Sequence, residues 1–160
     1  NRYTEAIEMI YTSNYFSFKG ARSVLALRKM VHLQHWQTIR HINISTVFLT
    51  PMDLWRRHRP FPPECYEDWE RCCTAIRDLR ILRSLRLDII VWDDAECNDS
   101  ASIDQESFLA ILKPFCGTSP PIFEVELNRN IPEHVLQALG TPMFSLIIKR
   151  RPYNMVLFPI

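Results

Sequence analysis

Hydrophobic residues along this chain alternate between helical spacing and short strand-like runs. Apolar positions that recur every three or four residues predict amphipathic helices, and runs rich in β-branched and aromatic residues predict strands. The predicted helices span residues 2–13, 21–31, 64–80, 102–113 and 132–140. The predicted strands span residues 15–18, 41–49, 85–92, 122–127 and 144–149, with a further short strand at 155–158.

Two segments give the clearest pattern. The helix predicted over residues 64–80 places Tyr66, Trp69, Cys73 and Ile76 on one stripe. The strand predicted over residues 85–92 is almost continuously apolar from Leu87 onwards, which is typical of a strand covered on both faces.

Helices and strands alternate along the whole length, and this order favours parallel pairing with right-handed crossovers. The strand centres are spaced loosely around the period of leucine-rich repeats, although the regular repeat signature is missing. We therefore predict an α/β fold with mostly parallel strands in an irregular leucine-rich-repeat-like single sheet. A compact three-layer α/β fold is the alternative. We expect residues 1–160 to form one domain, truncated at its N-terminus because the first residue is Asn1.

Composition excludes several classes of function. Only three of the 160 residues are glycine, too few for a dinucleotide fingerprint or a phosphate-binding loop. Nineteen basic and 18 acidic residues leave a net charge of +1, which gives no basis for a nucleic-acid or membrane-surface partner. No apolar run approaches the roughly 18 residues that would span a membrane, and no signal peptide opens the chain. We expect an intracellular protein, cytoplasmic or nuclear.

The five cysteines fit neither a zinc site nor a disulfide framework. Their number is odd, none forms a Cys-x-x-Cys pair, and Cys72 and Cys73 are adjacent. We expect reduced thiols, with Cys72 and Cys73 filling core space as small hydrophobic residues.

Two stretches resemble a known family. Residues 2–18 read RYTEAIEMIYTSNYFSF, and residues 36–44 read WQTIRHINI. Both are similar to motifs of a large group of fungal proteins that carry a domain of unknown function, the "7730" domain, related to F-box-like and leucine-rich-repeat-like proteins. The resemblance implies structural roles for these residues and supplies no catalytic residues.

Several side-chain clusters are candidates for chemistry. His32, His35 and His41 lie close together, but no cysteine or carboxylate completes a metal site, so we expect exposed or hydrogen-bonded histidines. Glu124 and Glu126 point to one side of a strand and could in principle form an acid–base pair; we expect them on a solvent-facing side. The sequence predicts no cofactor, no metal and no small-molecule ligand.

The candidate partner-binding residues are aromatic and basic. An exposed tryptophan beside arginine is the usual composition of a binding hot spot. The chain offers one such patch, comprising Trp55, Arg56, Arg57, Arg59 and Trp92. A second basic series, Arg77, Arg80, Arg83 and Arg86, is predicted to form a charged surface edge.

These observations favour a non-enzymatic protein–protein interaction domain, with the substrate-recognition part of an F-box-like adaptor as its specific form. Two alternatives remain open. One is a nucleic-acid-binding module that uses the arginine clusters. The other is an enzyme whose unrecognised site uses Glu124, Glu126 or the histidines.

Overall fold

The structure, a computed structural model, describes residues 2–50, 63–93 and 105–149. Its helices are α1 (Arg2–Ser13), α2 (Gly20–Met30), α3 (Leu33–Trp36), α4 (Tyr66–Arg77), α5 (Gln105–Leu112) and α6 (Glu133–Leu139). Its strands are β1 (Tyr15–Lys19), β2 (His41–Thr50), β3 (Ser84–Asp93), β4 (Ile122–Leu127) and β5 (Ser145–Ile148). A 3₁₀ turn, Lys113–Phe115, follows α5.

The described strands form one sheet in which the spatial order is the chain order, β1-β2-β3-β4-β5, and every pair is parallel. Consecutive parallel strands joined by right-handed crossovers carry all their helices on the same side of the sheet. The predicted α/β alternation in a single parallel sheet is therefore confirmed.

One side of the sheet, the inner face, supplies the hydrophobic core. Alternate side chains of each strand point to opposite sides, so the core takes every second residue. Ile44, Leu87 and Val125 are register partners on β2, β3 and β4, and all are buried. They pack in one cluster with helix residues such as Val24 and Ile76.

Aromatic rings tie the helices to this inner face. Trp69 of α4 contacts Phe48 of β2 and Phe115 edge-on, with ring centroids 5.1 and 5.3 Å apart. Its indole Nε1 donates to the carbonyl oxygen of Ile111 at 2.9 Å, so the polar end of the ring is also satisfied. Trp69, which the sequence places on the apolar stripe of this helix, is fully buried, and so is Trp36.

Most element boundaries agree with the prediction to within one to three residues. The main difference is α4, which begins at Tyr66 and ends at Arg77 instead of spanning 64–80. Gly140 ends α6 with a φ of 75°, as a C-terminal glycine should. The start of the helix predicted at residue 102 and the strand predicted at 155–158 lie outside the described residues.

The two sides of β3 differ in burial. Leu85, Leu87 and Ile89 face the core and are buried. On the other side Arg86 is exposed, whereas Ile90 and Trp92 are half-buried. The described residues confirm cover on the inner side, and cover on both sides stays a prediction. Within the described ranges, no helix is both long and apolar enough to cross a membrane.

Candidate functional site

The side of the sheet on which none of the described helices packs brings together side chains from different parts of the chain. We call it the open face. Strand alternation and register assign to it the exposed or half-buried residues Tyr15, Ser17, Lys19, His41, Asn43, Ser45, Val47, Arg86, Asp88, Ile90, Trp92, Ile122, Glu124, Glu126, Ser145 and Ile147.

The register arranges these residues in rows that cross the strands. One row reads Ser17, Asn43, Arg86, Glu124 and Ser145 from β1 to β5. The next row reads Lys19, Ser45, Asp88, Glu126 and Ile147. Adjacent strands are about 4.8 Å apart, so neighbours in a row are close enough to interact.

The half of the open face on β3 to β5 is held by cross-strand ion pairs. Arg86 Nε lies 2.9 Å from Glu124 Oε2, and Lys149 Nζ lies 2.7 Å from Glu126 Oε2. The expected solvent-facing placement of Glu124 and Glu126 is confirmed, because both are partly exposed on one side of β4. Each carboxylate is bound to a cation from another part of the sheet, and the two carboxylates do not pair with one another.

The half on β1 and β2 is different, because its central residues are uncharged. The Tyr15 ring is 60% exposed and stacks on the imidazole of His41, with centroids 4.5 Å apart. Among the described residues, His41 Nδ1 and Asn43 Oδ1 are shielded from solvent and have no hydrogen-bond partner. A shielded polar atom without a hydrogen bond lowers the stability of the fold by roughly 1–3 kcal/mol, whereas an exposed ion pair raises it by at most about 1 kcal/mol.

The candidate partner-binding patch is only partly described. Trp55, Arg56, Arg57 and Arg59 lie outside the described residues. Trp92 is half-buried, one residue before the end of β3, on the same side of the strand as Ile90. Its register partner is Leu49, and the next pair, Thr50 and Asp93, ends both strands. The strand ends that precede residues 51–62 and 94–104 are therefore neighbours.

The second basic series is dispersed. Arg77 ends α4 and donates from Nη2 to the carbonyl oxygen of Pro114 at 2.6 Å. Arg80 and Arg83 lie exposed in the connection to β3, and Arg86 lies on the open face. The expected charged edge is therefore divided between three places, and no continuous basic stripe forms among these four residues.

The three histidines are likewise separated. His32 precedes α3, and its Nδ1 accepts from the Gln34 amide at 3.4 Å. His35 stacks on Tyr11 with ring centroids 5.3 Å apart, while His41 belongs to the open face. In the part of the chain that the structure describes, no group of three or more His, Cys, Asp or Glu side chains could hold a metal ion.

The described cysteines are free thiols in two environments. Cys72 and Cys73 are fully buried on α4, as expected, and Cys116 is exposed. Burial raises the pKa of both the Cys72 and the Cys73 thiol strongly, and the nearby Glu64 carboxylate adds to each increase. Both thiols therefore stay protonated at neutral pH, and neither is suited to act as a nucleophile.

Reasoning from the sequence did not find the rows of the open face. The signal was present in the alternate polar positions Ser17, Asn43, Arg86 and Glu124, which lie between core residues of four strands. It could be read only with the strand register, because these four residues are far apart in the chain.

Comparison with known proteins identifies the family. The model of the family described as "Domain of unknown function (DUF7730)" matches residues 1–128. No curated protein and no solved structure matches the chain. The family match spans the described elements from α1 to β4, which include all but the last strand of the open face. Since it covers well over half of the sequence, the chain belongs to the DUF7730 family.

Proposed function

We propose that this chain is a non-catalytic protein–protein interaction domain and that the open face binds its partner. The observation that carries the proposal is the one-sided sheet: helices cover the inner face, and strands β1 to β5 present aligned polar side chains on the other. Repeat-like α/β proteins use such a face for binding.

Packing geometry supports the same proposal. Packed helices lie 8–10 Å apart, whereas paired strands lie only about 4.8 Å apart. A row of helices is therefore wider than the row of strands that it covers. This difference in width would curve the sheet with its open face on the inside. A concave polar face fits the convex surface of a folded protein or a peptide segment.

Charge favours a protein over a nucleic acid. The open face carries acidic residues on β3 and β4 and basic residues on β1 and β3, with Arg86–Glu124 and Lys149–Glu126 already paired. A phosphate backbone needs several free basic side chains in line. We propose an intracellular protein partner, and no membrane, cofactor or small-molecule ligand forms part of the proposal.

The resemblance to fungal F-box-like and leucine-rich-repeat-like proteins makes the proposal more specific. We propose that the domain is the substrate-recognition part of an F-box-like adaptor. Ubiquitin-ligase scaffold subunits should then be among the proteins bound by the full-length protein, alongside a substrate held on the open face.

The test is quantitative affinity capture of the full-length protein from its native cells, followed by mass spectrometry. One variant places arginines on the open face at two small exposed residues, Ser17→Arg with Ser45→Arg. Its matched control places them on the outer helix surface at two small exposed residues, Ala26→Arg with Thr74→Arg. Circular dichroism checks that both variants are folded.

We expect the open-face variant to recover at least tenfold less of the partner than the wild type, and the helix control to recover it within twofold. Equal loss in both variants, loss in the control alone, or no partner bound by the wild type would refute the proposal. Recovery of a substrate without any ligase scaffold would refute only the adaptor assignment.

A further inference from the structure

The open face differs between its two halves, and the difference indicates which half recognises the partner. On β3 to β5, Arg86 and Lys149 already bind carboxylates, so a partner's charged group must displace an existing ion pair. On β1 and β2, Ser17, Asn43 and Ser45 lie side by side in two adjacent rows and carry no charge. The first half is electrostatically satisfied, and the second offers only neutral donors and acceptors.

The β1–β2 half also contains hydrogen-bonding capacity that the described chain does not use. His41 and Asn43 follow one another on the open side of β2, and the shielded His41 Nδ1 and Asn43 Oδ1 have no partner among the described residues. A ligand could reach either atom after a rotation of its side chain, because both residues are only half-buried. A ligand that then supplies a donor removes a cost already present in the free protein.

An aromatic anchor lies next to these two residues. Tyr15 is the register partner of His41, and its largely exposed ring is held against the imidazole by stacking. A tyrosine that is already ordered binds at a low entropic cost and combines an apolar ring with a hydroxyl group. Tyr15, His41 and Asn43 thus form a compact set with one ring and several neutral polar atoms.

We propose that this set binds an extended, uncharged segment of the partner polypeptide and reads its main-chain amides through Asn43; the inference rests on the proposed function. The charge on this half of the face matches an uncharged ligand, since Lys19 at one end is its only full charge. The amides of a helix are bonded internally, whereas those of an extended segment are free. An asparagine side chain carries one acceptor and two donors, the complement of a peptide group.

A random decapeptide library displayed on phage, selected against the full chain, tests this inference. Selected peptides are synthesised, and their affinities are measured by fluorescence polarisation for the wild type and four variants. Asn43→Ala, Asn43→Asp and Tyr15→Ser change the β1–β2 half, and Arg86→Gln changes the charged half. Because Asn43 Oδ1 has no partner to lose, we expect Asn43→Ala not to lower the unfolding midpoint.

We expect selected peptides to be poor in charged residues. Their affinity should fall at least tenfold for Asn43→Ala and Tyr15→Ser and stay within twofold for Arg86→Gln. Asn43→Asp should also bind more weakly, because it removes the donors and adds a charge.

Three results would overturn the inference. The selected peptides could instead be rich in charged residues and lose affinity only for Arg86→Gln. That result would show that the charged half binds the partner, and it would not contradict the proposed function. Failure to select any peptide, or tight binding to a panel of neutral oligosaccharides instead, would refute the peptide assignment. The proposed function fails separately, when affinity capture recovers no partner that depends on the open face.

Discussion

A single buried carboxylate joins three parts of the fold at the residue scale. Glu64 Oε2 accepts hydrogen bonds from the Ala21 amide at 2.8 Å and from the Thr46 hydroxyl at 2.6 Å. Ala21 lies in the first turn of α2, where free amides and the helix dipole favour a negative charge. Glu64 therefore caps a helix whose own preceding residue, Lys19, makes no side-chain cap bond.

This cap requires a glycine at position 20. Gly20 has a φ of 74°, and a Cβ there would lie 2.8 Å from Glu64 Oε2. The carboxylate could move away from a new methyl group only by giving up its bonds to Ala21 and Thr46. Backbone strain and the loss of the cap therefore act together in any substitution of Gly20.

Gly20→Ala tests this arrangement in a double-mutant cycle with Glu64→Ala. In the wild type, Gly20→Ala should lower the free energy of unfolding by about 2–4 kcal/mol, from left-handed strain and the disturbed cap. In the Glu64→Ala background it should cost only about 1–2 kcal/mol, because strain alone remains. Urea unfolding followed by tryptophan fluorescence measures both values.

Glu70→Ala is the matched control for Glu64→Ala, because Glu70 is exposed on α4. It should change the free energy of unfolding by no more than about 0.5 kcal/mol. Additive effects of Gly20→Ala and Glu64→Ala would show that the glycine and the carboxylate act independently, contrary to the geometry.

At the element scale, side chains complete the sheet where strands of unequal length end. β2 runs five residues beyond its pairing with β1, from Thr46 to Thr50. Two carbonyl oxygens in this extension are bonded from outside the sheet: Val47 accepts from the Glu64 amide at 2.7 Å, and Leu49 accepts from the Tyr66 hydroxyl at 2.8 Å. These bonds cover an edge that could otherwise pair with another chain.

Asn128 does the same where β4 ends beside β3. Its Oδ1 accepts from the Val91 amide at 2.8 Å, and its Nδ2 donates to the Val91 carbonyl oxygen at 3.1 Å. The Asn128 side chain thus makes the two hydrogen bonds to Val91 that the backbone of a longer β4 would otherwise make. It also fixes the backbone next to Trp92, the described member of the candidate partner-binding patch.

Asn128→Ala should therefore destabilise the carboxyl end of β3 more than the rest of the sheet. Loss of two buried hydrogen bonds should cost about 2–3 kcal/mol, and the Val91 amide should exchange with solvent much faster. Hydrogen exchange followed by NMR measures the effect for each residue. Asn130→Ala, at an exposed position, is the control, and equal exchange at Val91 in both variants would contradict the assigned role.

The helices and strands could be predicted from the sequence, but the hydrogen bonds by which Glu64 and Asn128 connect them could not. Periodicity predicts a helix or strand because its signal lies within a dozen neighbouring residues, as in the stripe of Tyr66, Trp69 and Ile76 on α4. Glu64 bonds to Ala21 across 43 positions, and Asn128 bonds to Val91 across 37. Nothing local distinguishes Glu64 from an exposed glutamate. The pairing of Arg86 with Glu124 could not be predicted for the same reason, because the two residues are far apart in the chain.

At the scale of the whole molecule, the packed core lies on one side of the sheet, and the binding that we propose belongs to the other side. The inner face must be densely packed because every crossover helix rests on it. Folding requires of the open face only that its strands stay paired and that its side chains remain compatible with water, so these side chains can change without loss of the fold.

Neighbouring substitutions on β3 test that division directly. Leu87 is 2% exposed on the inner face, and Leu87→Ala should lower the free energy of unfolding by about 2–5 kcal/mol through lost burial and a cavity. Arg86 lies on the open face with its side chain 54% exposed, and Arg86→Ala should cost at most about 1 kcal/mol, the contribution of its pair with Glu124. Chemical denaturation compares the two variants under identical conditions. A loss of several kcal/mol for Arg86→Ala would mean that the open face is part of the packed structure, and the surface proposed to bind a partner would then be needed for folding instead.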